Sequence, residues 1–135
     1  MLARAITHAL VGLEPRRVEV EADVRETGLP AFVIVGLPDR ACGEARQRVR
    51  SGISSAELKF PGGRVTVNLA PAGLRKEGSG YDLAIALAIV AAAREIPHDA
   101  LKGHAVFGEL ALDGRVRPVS GALADRKSTR LNSSH

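Results

Sequence analysis

The polar run R-K-E-G-S-G from Arg75 to Gly80 gathers more potential chemistry than any other stretch of the chain. Glycine-rich backbone ahead of a helix can cradle an anion, because free N–H groups and the helix dipole both attract negative charge. The run matches neither G-x-x-x-x-G-K-[ST] nor G-x-G-x-x-G, and its lysine precedes the glycines, which argues against ATP binding within these residues. A flexible loop leading into a buried helix is the plainer and favoured reading. Ser79 raises a second chemistry, a serine nucleophile paired with a lysine, to be weighed against a serine that simply caps or precedes the helix. His8, His98 and His104 lack i,i+4 spacing and cysteine partners, which argues against a metal site. Cys42 is the single cysteine, so no internal disulfide can form, and its helical context reads as a small buried residue in a reducing compartment. Arg40, Arg46, Arg48 and Arg50 form a basic helix face, for which solvation is a commoner explanation than phosphate contact.

These residues hang on one segment, Asn68 to Ala93. It joins the end of an apolar strand, the polar loop, and a helix that is apolar at every position from Leu83 to Ala93. Ser79, Gly80 and Asp82 start this helix and Pro97 ends it. Its eleven apolar residues are about half of the ~20 needed to cross a bilayer. The helix must therefore be covered by the rest of the fold on nearly all sides.

The rest of the chain supplies that cover. Ala3 to Gly12 reads as a strand, and Glu14, Pro15 and Arg16 as a turn. Arg17 to Val24 alternates strictly, with valines and Ala22 on one face and acids on the other, as in a half-buried antiparallel strand. Ala31 to Val35 is a short apolar run between Pro30 and Gly36, hence a central strand. A helix follows with Asp39 as N-cap, a core stripe of Ala41, Ala45, Val49 and Ile53, and Arg40, Glu44, Gln47 and Arg48 facing water. Glu44 and Arg48 form an i,i+4 pair, and Gly43 costs that helix about 1 kcal/mol relative to alanine. Arg64 to Leu69 alternates again. Ala105 to Leu110 and Arg115 to Val119 flank Asp113-Gly114, a strong hairpin signal. The order β-β-β-α-β-α-β-β predicts an α+β domain, a mixed sheet with helices on one face and a right-handed crossover.

Length and composition agree with one soluble domain: 135 residues, 45% hydrophobic and 25% charged. No signal peptide or membrane span is evident, so a cytoplasmic address is the default expectation. The last eleven residues, 125–135, are polar and aperiodic, and D-R-K-S resembles the translated start of a common DNA-sequencing adapter. They are set aside as an artefact, which places the domain at residues 1–124. The formal charge of +4 includes three basic residues and one acidic residue from this tail. The remaining 16 basic and 14 acidic residues leave +2, too little to argue for nucleic acid by charge alone.

Taken together, V-E-V-E-A-D-V, G-L-P-A-F-V-I-V-G-L-P-D, R-x-R-V-R, V-T-V-N-L-A-P-A, L-R-K-E-G-S-G-Y-D-L and F-G-E-L-x-L-D-G-R-V-R-P-V resemble one family. It is the N-terminal domain of the bacterial ComM (YifB, magnesium-chelatase-like) proteins, and the likeness covers Met1 to about Leu123. Gly43 departs from it, since family members usually carry a longer residue there. The resemblance implies a fold like the second domain of ribosomal small-subunit protein five, shared with the Lon protease domain. It implies that complete members continue into an AAA+ ATPase, assemble as homo-hexameric rings, and act as ATP-dependent DNA branch-migration helicases in natural transformation. ATP and magnesium would belong to that ATPase, and no cofactor is expected in this stretch. No Walker motif occurs in the chain, so it reads as a fragment of an interrupted gene.

Lon-type proteases carry their serine in K-D-G-P-S-A-G and their lysine in P-I-G-G-L-K. Aligned on Lys76-Glu77-Gly78, the serine position falls on Gly80. Aligned on Pro118, the lysine position falls on Leu123. Both dyad positions are empty, so the resemblance implies a non-catalytic relative, with a Lon-like peptidase or a magnesium-chelatase motor as the alternatives. Arg75 and Lys76, two adjacent cations beside exposed glycine backbone, are the candidate DNA or partner contacts, with Arg46 and Arg50 of the basic helix.

Overall fold

A computed structural model describes residues 1–118. Its main sheet has four strands: β1 (Leu2–Val11), β2 (Glu14–Arg25), β3 (Ala31–Val35) and β4 (Arg64–Ala70), in the order β1-β2-β4-β3. β1 pairs with β2 and β2 with β4 in antiparallel fashion, while β3 and β4 run parallel. The parallel pair needs a crossover, and α1 (Asp39–Ser55) supplies it. Helix α2 (Asp82–Ala92) follows β4, and a separate two-stranded sheet, β5 (Glu109–Leu110) with β6 (Val116–Arg117), closes the described chain. The architecture is the mixed α+β arrangement that the order of elements predicts.

Alternation decides which face is covered. Ala3, Ala5, Thr7 and Ala9 of β1, Val18, Val20, Ala22 and Val24 of β2, Phe32 and Ile34 of β3, and Val65, Val67 and Leu69 of β4 are all buried. Helix α2 lies over β1 and β2, α1 lies against β3, and the two helices touch each other. The intervening residues stay on the open face, where Arg4 reaches Glu19 and Glu21 at 3.3 and 3.0 Å. Every residue of α2 except Leu87 is buried, as its unbroken apolar run requires. Gly36, at φ +108°, lets the chain leave β3 for α1, where a Cβ would sit 2.6 Å from the Leu69 carbonyl oxygen.

Several boundaries differ from the sequence-based expectation. Strand β2 begins at Glu14 rather than Arg17, and only Gly12 and Leu13 turn, with Val11 opposite Glu14. Pro15 is tolerated because β2 there has β1 alone as a neighbour, its pairing with β4 starting at Glu19. Pro38, not Asp39, occupies the N-cap of α1, and no side chain caps that end. Proline's fixed φ suits this boundary, and Asp39 becomes a first-turn acid beside the helix dipole. The expected strand from Ala105 to Leu110 splits in two. Val106 N–H donates to the Ile6 carbonyl at 2.9 Å, then Gly108 turns away by bonding Gly80 and Leu83, leaving only Glu109 and Leu110 to pair with β6. The Asp113-Gly114 turn forms as expected, with Gly114 at φ +90°. Val119, Leu123 and the tail set aside at 125–135 lie outside the described residues.

Candidate functional site

The loop that attracted attention in the sequence lies between the first turns of α1 and β5, along an open cleft of about 460 Å3. Arg40, Glu44 and Arg48 of α1, Lys76 to Ser79 of the loop, and Glu109 of β5 line it. Its floor is an ion pair. Asp82, at the start of the buried helix, takes Arg48 Nε on Oδ2 at 2.6 Å and Arg48 Nη2 on Oδ1 at 3.1 Å. The Leu110 N–H donates to the same Oδ2 at 3.0 Å. The Asp82 side chain is 2% exposed and that of Arg48 22%. Burial pushes the Asp82 carboxyl up from its ordinary range, and the bonds from Arg48 and Leu110 oppose that push. The Asp82 hydrogen bond holds Arg48 above its usual value. Arg48 thus does not simply face water, as its place in the helix pattern suggested. Its 4.0 Å approach to Glu44 is secondary to the bidentate bond.

Lys76 and Arg75 are separated by burial. Lys76 is 2% exposed, and its ammonium donates to the carbonyls of Pro71 at 2.8 Å and Leu74 at 2.7 Å. Burial pulls its pKa down. Arg75 is 86% exposed on its side chain and pairs with Glu77 at 2.6 Å. The expected twin-cation seat therefore presents a single cation, because the loop carbonyls need the other. Arg46 and Arg50 lie two positions to either side of Arg48. Two helical residues subtend about 200°, so both point away from the cleft. The Arg50 guanidinium rests over Phe60 and Phe32, 4.5 and 5.6 Å from the ring centroids. Of the four sequence candidates, the structure brings together Arg46 with Arg50, and leaves Arg75 and Lys76 in a different region.

Ser79 finds a carboxylate rather than a lysine or a cap role: its hydroxyl donates to Glu109 Oε1. Tyr81, not Ser79, is the N-cap of α2, and no side chain caps that end. Gly80, the position where a Lon-type serine would fall, packs beneath Phe107. A Cβ there would stand 2.5 Å from the ring, so no side chain fits without displacing it. His98 Nε2 lies 3.1 Å from the Leu2 carbonyl. Burial, and then the charge of Arg17, lower the pKa of His8. Among the described residues no three His, Cys, Asp or Glu side chains gather as a metal site. No helix among them is long and apolar enough to cross a membrane.

The pair Arg48–Asp82 is what the motif reading missed. One signal was available: Asp82 is the only charged residue between Gly78 and Ala93, in a segment that must be buried. A buried carboxylate demands a cation, and the facing helix is arginine-rich.

Fold and site together define a mixed α+β domain with two helices on one sheet face and a polar cleft organised around a buried arginine–aspartate pair. The chain belongs to the family of magnesium-chelatase subunit ChlI, whose model matches residues 20–133. Among its relatives are YifB of Escherichia coli, 42% identical over 87% of this chain and 23% of that protein, and the competence protein ComM of Haemophilus influenzae, 42% identical over 96% of this chain and 26% of that protein. A protein of Mycobacterium tuberculosis is 46% identical over 90% of this chain and 24% of its own length. The chain thus spans about a quarter of the length of the curated relatives it matches.

Proposed function

We propose that this domain is the accessory N-terminal part of a ComM/YifB-type motor, with the complete protein moving branched DNA at the expense of ATP during recombination or natural transformation. On this reading the ATPase, with its ATP and magnesium, lies in the portion that the longer relatives add. The working form is a homo-hexameric ring in the cytoplasm, with DNA as its partner. The domain itself binds or positions and does not cut.

The observation that carries this reading is the filled dyad position: Gly80 has no room for a nucleophile under Phe107, and the neighbouring Ser79 is bonded to Glu109. Against the peptidase alternative, the position that the Lon-type motif assigns to its serine has no room for one, and similarity to a competence protein supplies the direction. Purified complete protein should convert a branched DNA substrate only when ATP and magnesium are supplied, and Ser79→Ala should leave that conversion unchanged. Failure to move branched DNA removes the motor reading. ATP-dependent peptide cleavage abolished by Ser79→Ala replaces it with the peptidase.

A further inference from the structure

The four arginines of α1 divide into two kinds. Arg40 pairs with Glu44 at 3.5 Å and Arg48 with Asp82 at 2.6 Å. Among the described residues neither Arg46 nor Arg50 has a carboxylate within ion-pair distance. They stand one helical turn apart on the same face, since residues i and i+4 are neighbours on a helix surface.

The surroundings favour a phosphodiester backbone over a compact anion. Phe60 and Phe32, whose centroids are 5.2 Å apart, hold the exposed Arg50 guanidinium over their rings. Stacking of this kind fixes a planar guanidinium before a partner arrives and so reduces the ordering needed on contact. Gly43, one turn before Arg46, leaves the helix surface bare. A Cβ there would meet only Arg46 Nη2, at 3.9 Å, so the helix surface around that guanidinium is otherwise open. Lys59, exposed and next to Phe60 in the chain, adds a further cation.

We infer that the Arg46–Arg50 face of α1, and not the Arg75–Lys76 loop, is the surface on which this domain holds the phosphate backbone of DNA. The inference rests on the reading that the complete protein works on DNA, and it assigns the contact within that reading. It requires two charge contacts from α1. Lys76 contributes none, since it is buried against the Pro71 and Leu74 carbonyls, and Arg75 with Glu77 beside it at 2.6 Å gives the loop tip no net positive charge.

The test is the salt dependence of binding of the 135-residue chain to a fluorescent duplex oligonucleotide. Binding is followed by anisotropy from roughly 50 to 200 mM salt. Each lost duplex phosphate contact lowers the slope of log K against log salt by about 0.9, so Arg46→Ala with Arg50→Ala should lower it by about 1.8. Arg46→Lys with Arg50→Lys keeps the charge without the guanidinium fork and should restore the slope, which separates charge from loss of packing on Phe60. Arg75→Ala should leave it unchanged. A slope untouched by the double alanine variant, a loss seen instead with Arg75→Ala, or no binding by the chain overturns the assignment. The motor reading is judged separately, by ATP-dependent conversion of branched DNA by the complete protein, and survives any of these outcomes if that conversion occurs.

Discussion

Arg75–Glu77 and Arg48–Asp82 each close to 2.6 Å, but they belong to different environments. The first sits at a loop tip with side chains 86% and 67% exposed. The second forms the floor of the cleft, with Asp82 2% exposed and a backbone N–H completing its shell. Distance alone does not rank them. In water the charges of the loop tip gain little over their hydration, and holding two long side chains together costs entropy. On the cleft floor the loss of Arg48 would leave the Asp82 carboxylate buried without a counter-ion. The polar corner thus holds α1, α2 and β5 in register, whereas Arg46 and Arg50 of α1 have no carboxylate within ion-pair distance among the described residues.

The largest effect should come from breaking the buried pair. Asp82→Ala should lower the unfolding free energy by about 3 kcal/mol, the low end for such a pair because Arg48 can partly rehydrate. Urea unfolding at neutral pH measures it, and the double variant Arg48→Met with Asp82→Leu, which removes both charges at once, should cost less than the single change. Gly80→Ala, which drives a methyl into the Phe107 ring, should cost about 2 kcal/mol in the same experiment. If it costs nothing, the ring is free to swing and the corner is less closed than described. Lys76→Met leaves the Pro71 and Leu74 carbonyls without their donor and should cost about 1–2 kcal/mol, again by denaturation.

His8 lies between the extremes of burial and sharpens the comparison through pH. Its folded pKa is lowered from 6.5, so below 6.5 the unfolded chain takes up the proton before the folded chain does. The stability that His8 contributes is complete above that value and is lost as pH falls towards the lowered one. Thermal unfolding followed between neutral and mildly acidic pH should show this loss, and His8→Gln should flatten it. The smallest effect belongs to the loop tip: Glu77→Ala should change stability by no more than about 0.5 kcal/mol.

Strict alternation made β2 and β4 legible, and the unbroken apolar run from Leu83 announced the buried helix. The family resemblance was likewise carried by local motifs, and the family match supports it. What escaped had no periodic signature. Arg48 occupies a position that the helix pattern assigns to solvent, and only the packing of α2 across α1 turns it inward. Lys76 sits in an aperiodic loop, where nothing local indicates that a lysine closes the loop on its own carbonyls. The split of 105–110 arises from Gly108 bonding to Gly80, a contact between residues distant in the chain. Of the site candidates, Arg46 and Arg50 could be placed on one helix face from spacing alone, but their lack of carboxylate partners among the described residues could not.

The most direct measurement is a pair of double-mutant cycles in urea, one on Arg48 with Asp82 and one on Arg75 with Glu77. Coupling of about 2 kcal/mol or more in the first, against no more than about 0.5 kcal/mol in the second, is the result expected if burial separates two pairs of equal length. Equal and small coupling in both would contradict it, and the cleft would then be a solvated surface like any other.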